Sequence, residues 1–146
     1  MLDPNVRGVR SEAATHDIEK GAIRRFAEAI GDHNPLYHDE VQARARGFRS
    51  LVAPPTFAFT LRPGSDVRAS LAIDWRDVLH GEQRFSYARP LVAGDRVTVQ
   101  AELVDVYEKS GRSGAMDFIV TETTGSDENG APIYRMRTVT VIRRRN

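Results

Sequence analysis

Apolar residues along this chain follow one period in its first half and another in its second. Over residues 21–30, Ile23, Phe26, Ala27 and Ile30 recur at i, i+3, i+4 and i+7. That spacing lines one face of an α-helix. Arg24, Arg25 and Glu28 take the other side, and Gly31 stands where a glycine commonly ends a helix. A second start follows at once, with Asn34 as N-cap and Pro35 in the first helical position, where its missing N–H costs nothing. Asp39 and Glu40 suit the first turn of this helix, and Gly47 ends it. Residues 51–57 are apolar but contain Pro54 and Pro55, which excludes an interior strand. They predict a buried turn leading into a helix that carries Phe57, Ala58 and Leu61. Residues 62–70, with Pro63 and Gly64, read as a loop, and residues 71–79 fit neither period.

From Glu82 onward the period is two. Phe85 and Tyr87 alternate with Arg84, Ser86 and Ala88, and Pro90 with Gly94-Asp95 closes the strand. Val97, Val99, Ala101 and Leu103 begin a second, longer strand. Its partner covers residues 116–124, with Met116, Phe118 and Val120 on one face. Asn129-Gly130, within the turn cluster 126–130, is a strong hairpin signal, and a last strand covers residues 133–142. Helices in the first half and antiparallel strands in the second make an α+β layout. An antiparallel sheet covering one long helix is its natural solution.

At 146 residues and 40% hydrophobic, the chain suits a single domain. It has no cysteine, which excludes a disulfide framework, a thiolate metal site and a cysteine nucleophile. A net charge of +1 gives no general attraction to nucleic acid or an anionic membrane. No apolar stretch reaches the roughly 20 residues of a membrane span. The first ten residues lack the apolar core of an export signal, so a cytoplasmic location is expected. His16, His33, His38 and His80 show no paired zinc spacing, and no metal is expected. The run Arg143-Arg144-Arg145 reads as a solvated tail.

Residues 29–38 carry the densest chemistry. Asp32, His33, Asn34 and His38 fall together at the junction of two helices, just ahead of an apolar turn. An aspartate and a histidine there could share general acid–base work on water. Asp32 and Asn34 could equally be helix caps and nothing more.

The run Phe26-Ala27 through Gly31-Asp32-His33-Asn34-Pro35-Leu36-Tyr37 resembles the signature of the MaoC-like dehydratases, or R-specific enoyl-CoA hydratases. Two further stretches, Leu51-Val52-Ala53-Pro54-Pro55-Thr56-Phe57 and residues 79–95, resemble the N-terminal, FAS1-like branch of that family. The resemblance implies a single hotdog domain, a long antiparallel β-sheet wrapped around a central α-helix, over residues 15–143. Residues 1–14 would be an extension and 144–146 a basic tail. It also implies reversible hydration of a trans-2-enoyl thioester, carried by CoA or an acyl carrier protein, to the R-3-hydroxyacyl product. No cofactor is needed, since water is the only co-reactant.

On this resemblance the catalytic aspartate is Asp32. The family histidine lies five positions later, where this chain has Tyr37, with His38 next. His38 is therefore the candidate base. Tyrosine is a poor base near neutrality. A further departure is Pro54-Pro55, which cannot donate N–H groups to an oxyanion where active members use a glycine turn. Asn34, Tyr37, Thr56 and His80 are candidate substrate contacts. Thr56 could instead cap a helix, and His80 could be a plain turn residue. Trp75 is expected in the core or as a lid, Phe57, Phe59 and Phe85 in the core. Arg84, Arg89 and Arg96 are candidate phosphate contacts, although a single arginine on a strand is more simply solvated. The branch builds its unit from two hotdogs, so a homodimer or a heterodimer with another hotdog chain is expected. Two alternatives stand beside a catalytic chain: a non-catalytic acyl-binding subunit paired with a catalytic partner, and a hotdog thioesterase.

Overall fold

The computed structural model describes residues 4–69, 71, 73–111 and 114–144. In chain order its elements are β1 (Ala14–Asp17), α1 (Lys20–Ala29), α2 (Pro35–His38), α3 (Glu40–Ala45), β2 (Val78–Tyr87), β3 (Arg96–Gly111), β4 (Gly114–Ser126) and β5 (Pro132–Arg143). The strands form one antiparallel sheet in the order β1-β3-β4-β5-β2.

The three long strands follow the period-two pattern. At the β4–β5 hairpin the Asp127 carboxylate accepts from the N–H groups of Asn129 and Ala131, both at 2.9 Å. Gly130 takes the left-handed conformation the turn requires, φ +79°. β2 begins at Val78, four residues ahead of the expected start, because Val78, Leu79 and His80 already pair with Ile142, Val141 and Thr140. β1 has no apolar run to announce it. It is a short edge strand, alternately half-buried and exposed, whose pairing with β3 from Ala14–Val99 to Asp17–Arg96 creates it.

α1 buries Ile23 and Ala27, as its stripe predicts. The second predicted helix is two pieces. Asp39 adopts an extended conformation (φ −119°, ψ 111°) and its carboxylate accepts from Val41 and Gln42, so it ends α2 and caps α3. The helix expected after Pro55 is a single 3-10 turn, Phe57–Thr60. Leu61 is already extended, and Arg62 precedes Pro63, which disfavours helix there.

The inner face of the sheet carries two apolar clusters. One joins Ile23 and Ala27 of α1 to Phe57, Leu91, Val97, Val99, Ile133 and Met136. The other joins Val67 and Leu71 to Leu103, Val106, Ile119 and Ile142. Between them β4 and β5 present Thr121, Thr123, Thr138 and Thr140, with Thr121 directly opposite Thr138.

Several expectations are corrected here. Trp75 is 55% exposed, which removes the core role and leaves the lid role open, with the Arg68 guanidinium 4.9 Å above its ring. Phe59 is also partly exposed. Arg144 is no solvated residue: it bonds Asp117 at 2.5 and 2.9 Å and Glu108 at 2.6 Å. Arg145 lies outside the described residues. Arg89 is held by the buried Asp95 carboxylate, and Arg84 pairs with Glu82, so neither guanidinium is unpaired.

Candidate functional site

The polar junction after α1 is built by local hydrogen bonds. Gly31, at φ +70°, turns the chain, and the Asp32 N–H donates to Ala27 O at 2.9 Å. The Asp32 carboxylate accepts from Asn34 N–H at 3.0 Å, and the Asn34 side chain accepts from Leu36 N–H at 3.1 Å. Asp32 and Asn34 thus act as successive turn and cap residues. One turn of helix then brings His38 back, its Nε2 2.8 Å from the main-chain oxygen of Asp32. A carbonyl oxygen only accepts, so Nε2 carries the proton and Nδ1, on the other side of the ring, is the basic nitrogen.

Tyr37 points inward and is buried among the first cluster. Burial raises its phenol above the ordinary value, the Asp32 carboxylate raises it further, and the Asn34 side chain acts in the opposite sense. The phenol is therefore a proton donor near neutrality and not a base. The structure brings four predicted residues together: Asp32, Asn34, Tyr37 and His38. Asp32 is half-buried, as is His38, whereas His33 and Asn34 are exposed.

The next segment anchors the site to the sheet. Val52 N–H donates to Leu36 O at 3.0 Å, and residues 51–53 bridge to residues 91–93. Tyr87 donates its hydroxyl to Pro55 O at 2.6 Å, and burial pushes that phenol up to about 12. Thr56 is exposed at the start of the 3-10 turn, and its side chain makes no cap hydrogen bond. The capping role open to it is not taken up.

His80 lies apart from the Asp32 group. It packs edge-on against Phe59, centroids 5.7 Å apart, and lines a cavity of about 380 Å³ between residues 59–68 and the inner face of the sheet. Thr121, Thr123, Thr138, Thr140, Arg68 and Asp66 also face this space. Sequence reasoning missed these six. One signal was available: the threonines share parity with apolar Ile119 and Met136, which places them on the inner face. Among the described residues, no group of three or more His, Asp or Glu side chains is arranged to hold a metal ion. Among the described residues no helix is long and apolar enough to cross a membrane.

A five-stranded antiparallel sheet of this order, with α1 against its inner face, defines a hotdog domain. Residues 5–136 match the FAS1-like dehydratase domain region, and the chain belongs to that family. A UPF0336 protein from Streptomyces griseus is 38% identical over 132 residues, spanning 88% of this chain and 85% of its own. The fold also matches the C-terminally truncated HadBC (3R-hydroxyacyl-ACP dehydratase) complex from Mycobacterium tuberculosis. There the TM-score is 0.82 and identity 24%, covering 93% of this chain and 96% of the other. The ChsH1–ChsH2 complex from the same organism superposes with TM-score 0.78 at 26% identity, covering 91% and 83%.

Proposed function

We propose that this chain is the acyl-thioester-holding subunit of a two-hotdog dehydratase, working on enoyl or 3-hydroxyacyl thioesters beside a partner that supplies the base. One observation carries the reading: His38, the candidate base, is tied by Nε2 to the main chain of Asp32, while the inward position beside the carboxylate is a protonated tyrosine. Hydration needs a group that takes a proton from water as it adds to C3, and another that delivers one to C2. A neutral phenol, a carboxylate already engaged by Asn34 N–H and an imidazole whose Nε2 is fixed on the Asp32 main chain do not make that pair. The two prolines before the 3-10 turn offer no N–H to a thioester oxyanion, which supports the same reading. The complexes of unlike chains among the similar structures also support it.

The test is crotonyl-CoA hydration, followed by loss of the enoyl absorbance. The purified chain is expected to be inactive alone and to support turnover when mixed with a second, catalytic MaoC-like chain. Asp32→Asn in this chain is expected to leave that mixture's kcat within about threefold, well short of the loss from removing a catalytic group. Hydration by the chain alone, abolished by Asp32→Asn, overturns the proposal and makes this chain the hydratase.

A further inference from the structure

The chemistry of the cavity wall points to the kind of acyl chain held, an inference that rests on the acyl-thioester reading above. A cavity for plain alkyl chains is expected to be lined by aliphatic side chains. Here four threonines lie in the sheet floor between Ala101 and Met136, and Thr121, Thr123 and Thr140 are each buried. An alkyl chain lying on them strips water from hydroxyls without replacing its hydrogen bonds, which costs affinity.

The hydrogen bonds already made define what the wall has left to offer. Thr138 donates its hydroxyl to Gln83 Oε1 at 2.8 Å, so its oxygen faces the cavity as an acceptor. Thr140 accepts from Arg68 Nη1 at 3.5 Å, so its own hydrogen remains to be donated. Arg68 is bound through Nε and Nη2 to Asp66, at 2.8 and 2.7 Å, so its charge is already met. Gln83, opposite Thr138 in the β2–β5 pair, has its Nε2 buried with no hydrogen-bond partner among the described residues. An acceptor and a donor side by side, with Arg68 paired to Asp66 and the Arg62 guanidinium lying over the Phe59 ring, match a group that both donates and accepts and carries no charge. We propose that the cavity holds an acyl chain bearing a hydroxyl group remote from the thioester, against Thr138 and Thr140.

Calorimetric titration of the full-length chain with octanoyl-CoA and with 8-hydroxyoctanoyl-CoA tests this, with the shift in Trp75 fluorescence as a second readout. Trp75 is the sole tryptophan and lies under the guanidinium of Arg68, which lines the cavity. The hydroxylated ligand is expected to bind roughly tenfold more tightly, the value of one satisfied buried hydrogen bond. Thr138→Val keeps the branched shape and removes the hydroxyl, and is expected to erase that preference. Thr140→Val serves the same purpose should the first variant fold poorly by circular dichroism. Equal affinity for both ligands, unchanged in the folded variant, overturns the inference while the acyl-thioester reading stands. Failure to bind either thioester overturns both.

Discussion

At the scale of single residues, the short polar side chains around Asp32 are occupied by the backbone. Asp32, Asn34 and Asp39 each accept from an N–H two positions ahead. Spacing alone allowed either capping or catalysis; the structure shows the hydrogen bonds of a turn at Asp32 and of caps at Asn34 and Asp39. Elsewhere a glycine matters through space. Gly125 lies opposite Tyr134, whose buried ring covers it, and a Cβ there would sit 2.2 Å from Cε1 and 2.4 Å from Cζ. Neither strand can yield without loosening the first cluster. Gly125→Ala is expected to cost about 2–3 kcal/mol by denaturant titration. Tyr134→Ala in the same chain should make the added methyl nearly neutral, and an equal loss in both backgrounds would refute the clash.

At the scale of elements, the division between α2 and α3 shows where sequence patterns lose resolution. Asp39 and Glu40 both fit the first turn of one helix, yet Asp39 takes the cap and Glu40 becomes the first residue of α3. Glu40 then reaches across to α1: its carboxylate meets Lys20 at 2.5 Å and Arg44 at 2.7 Å. Hydrogen bonds from Lys20, then Arg44, hold its pKa down at about 2 against an ordinary 4.5. A carboxylate depressed by folding contributes stability that is present above its unfolded value and is lost as pH falls through its folded one. Wild type is therefore expected to melt a few degrees above Glu40→Gln at neutral pH, a modest gap because both cation partners are exposed. That gap should close between pH 4.5 and 2. A constant gap across that range would mean that packing, and not charge, joins α1 to α3.

At the scale of the whole molecule, the sheet has one inner face and two unequal covers. The first cluster is closed by α1 and the segments around Leu51 and Leu91; the second is closed by the irregular chain at Val67 and Leu71. The threonine band and its cavity separate them. A cover held mainly by short-range backbone hydrogen bonds, with Arg68 reaching Thr140, opens before the sheet does. Ala69, Leu71 and Ile73 donate their N–H groups to carbonyls two or three residues back. Their amides are expected to exchange with solvent at least about tenfold faster than those of Ile119 and Val120 in β4. A ligand in the cavity should slow them. Equal protection in the free protein would show the cover to be part of the global unfolding unit.

Much of this was legible in the chain. The stripe of α1, the Asn34-Pro35 start, the alternation of β2 to β5 and the Asn129-Gly130 turn depend on neighbours within a few positions, which sequence displays directly. So did the tyrosine standing where a histidine is expected, the proline pair and the family itself, because each is a matter of residue identity. Contacts between distant residues decided the rest. β1 exists because β3 offers an edge; the 3-10 turn replaces a helix where the chain must extend into Arg62-Pro63; and Arg144 leaves solvent because Asp117 and Glu108 lie across the sheet from it. The orientation of His38 and the polar cavity belong to the same class. A ring nitrogen's partner and the enclosure of four threonines depend on where separate elements come to lie, and local pattern carries no record of that.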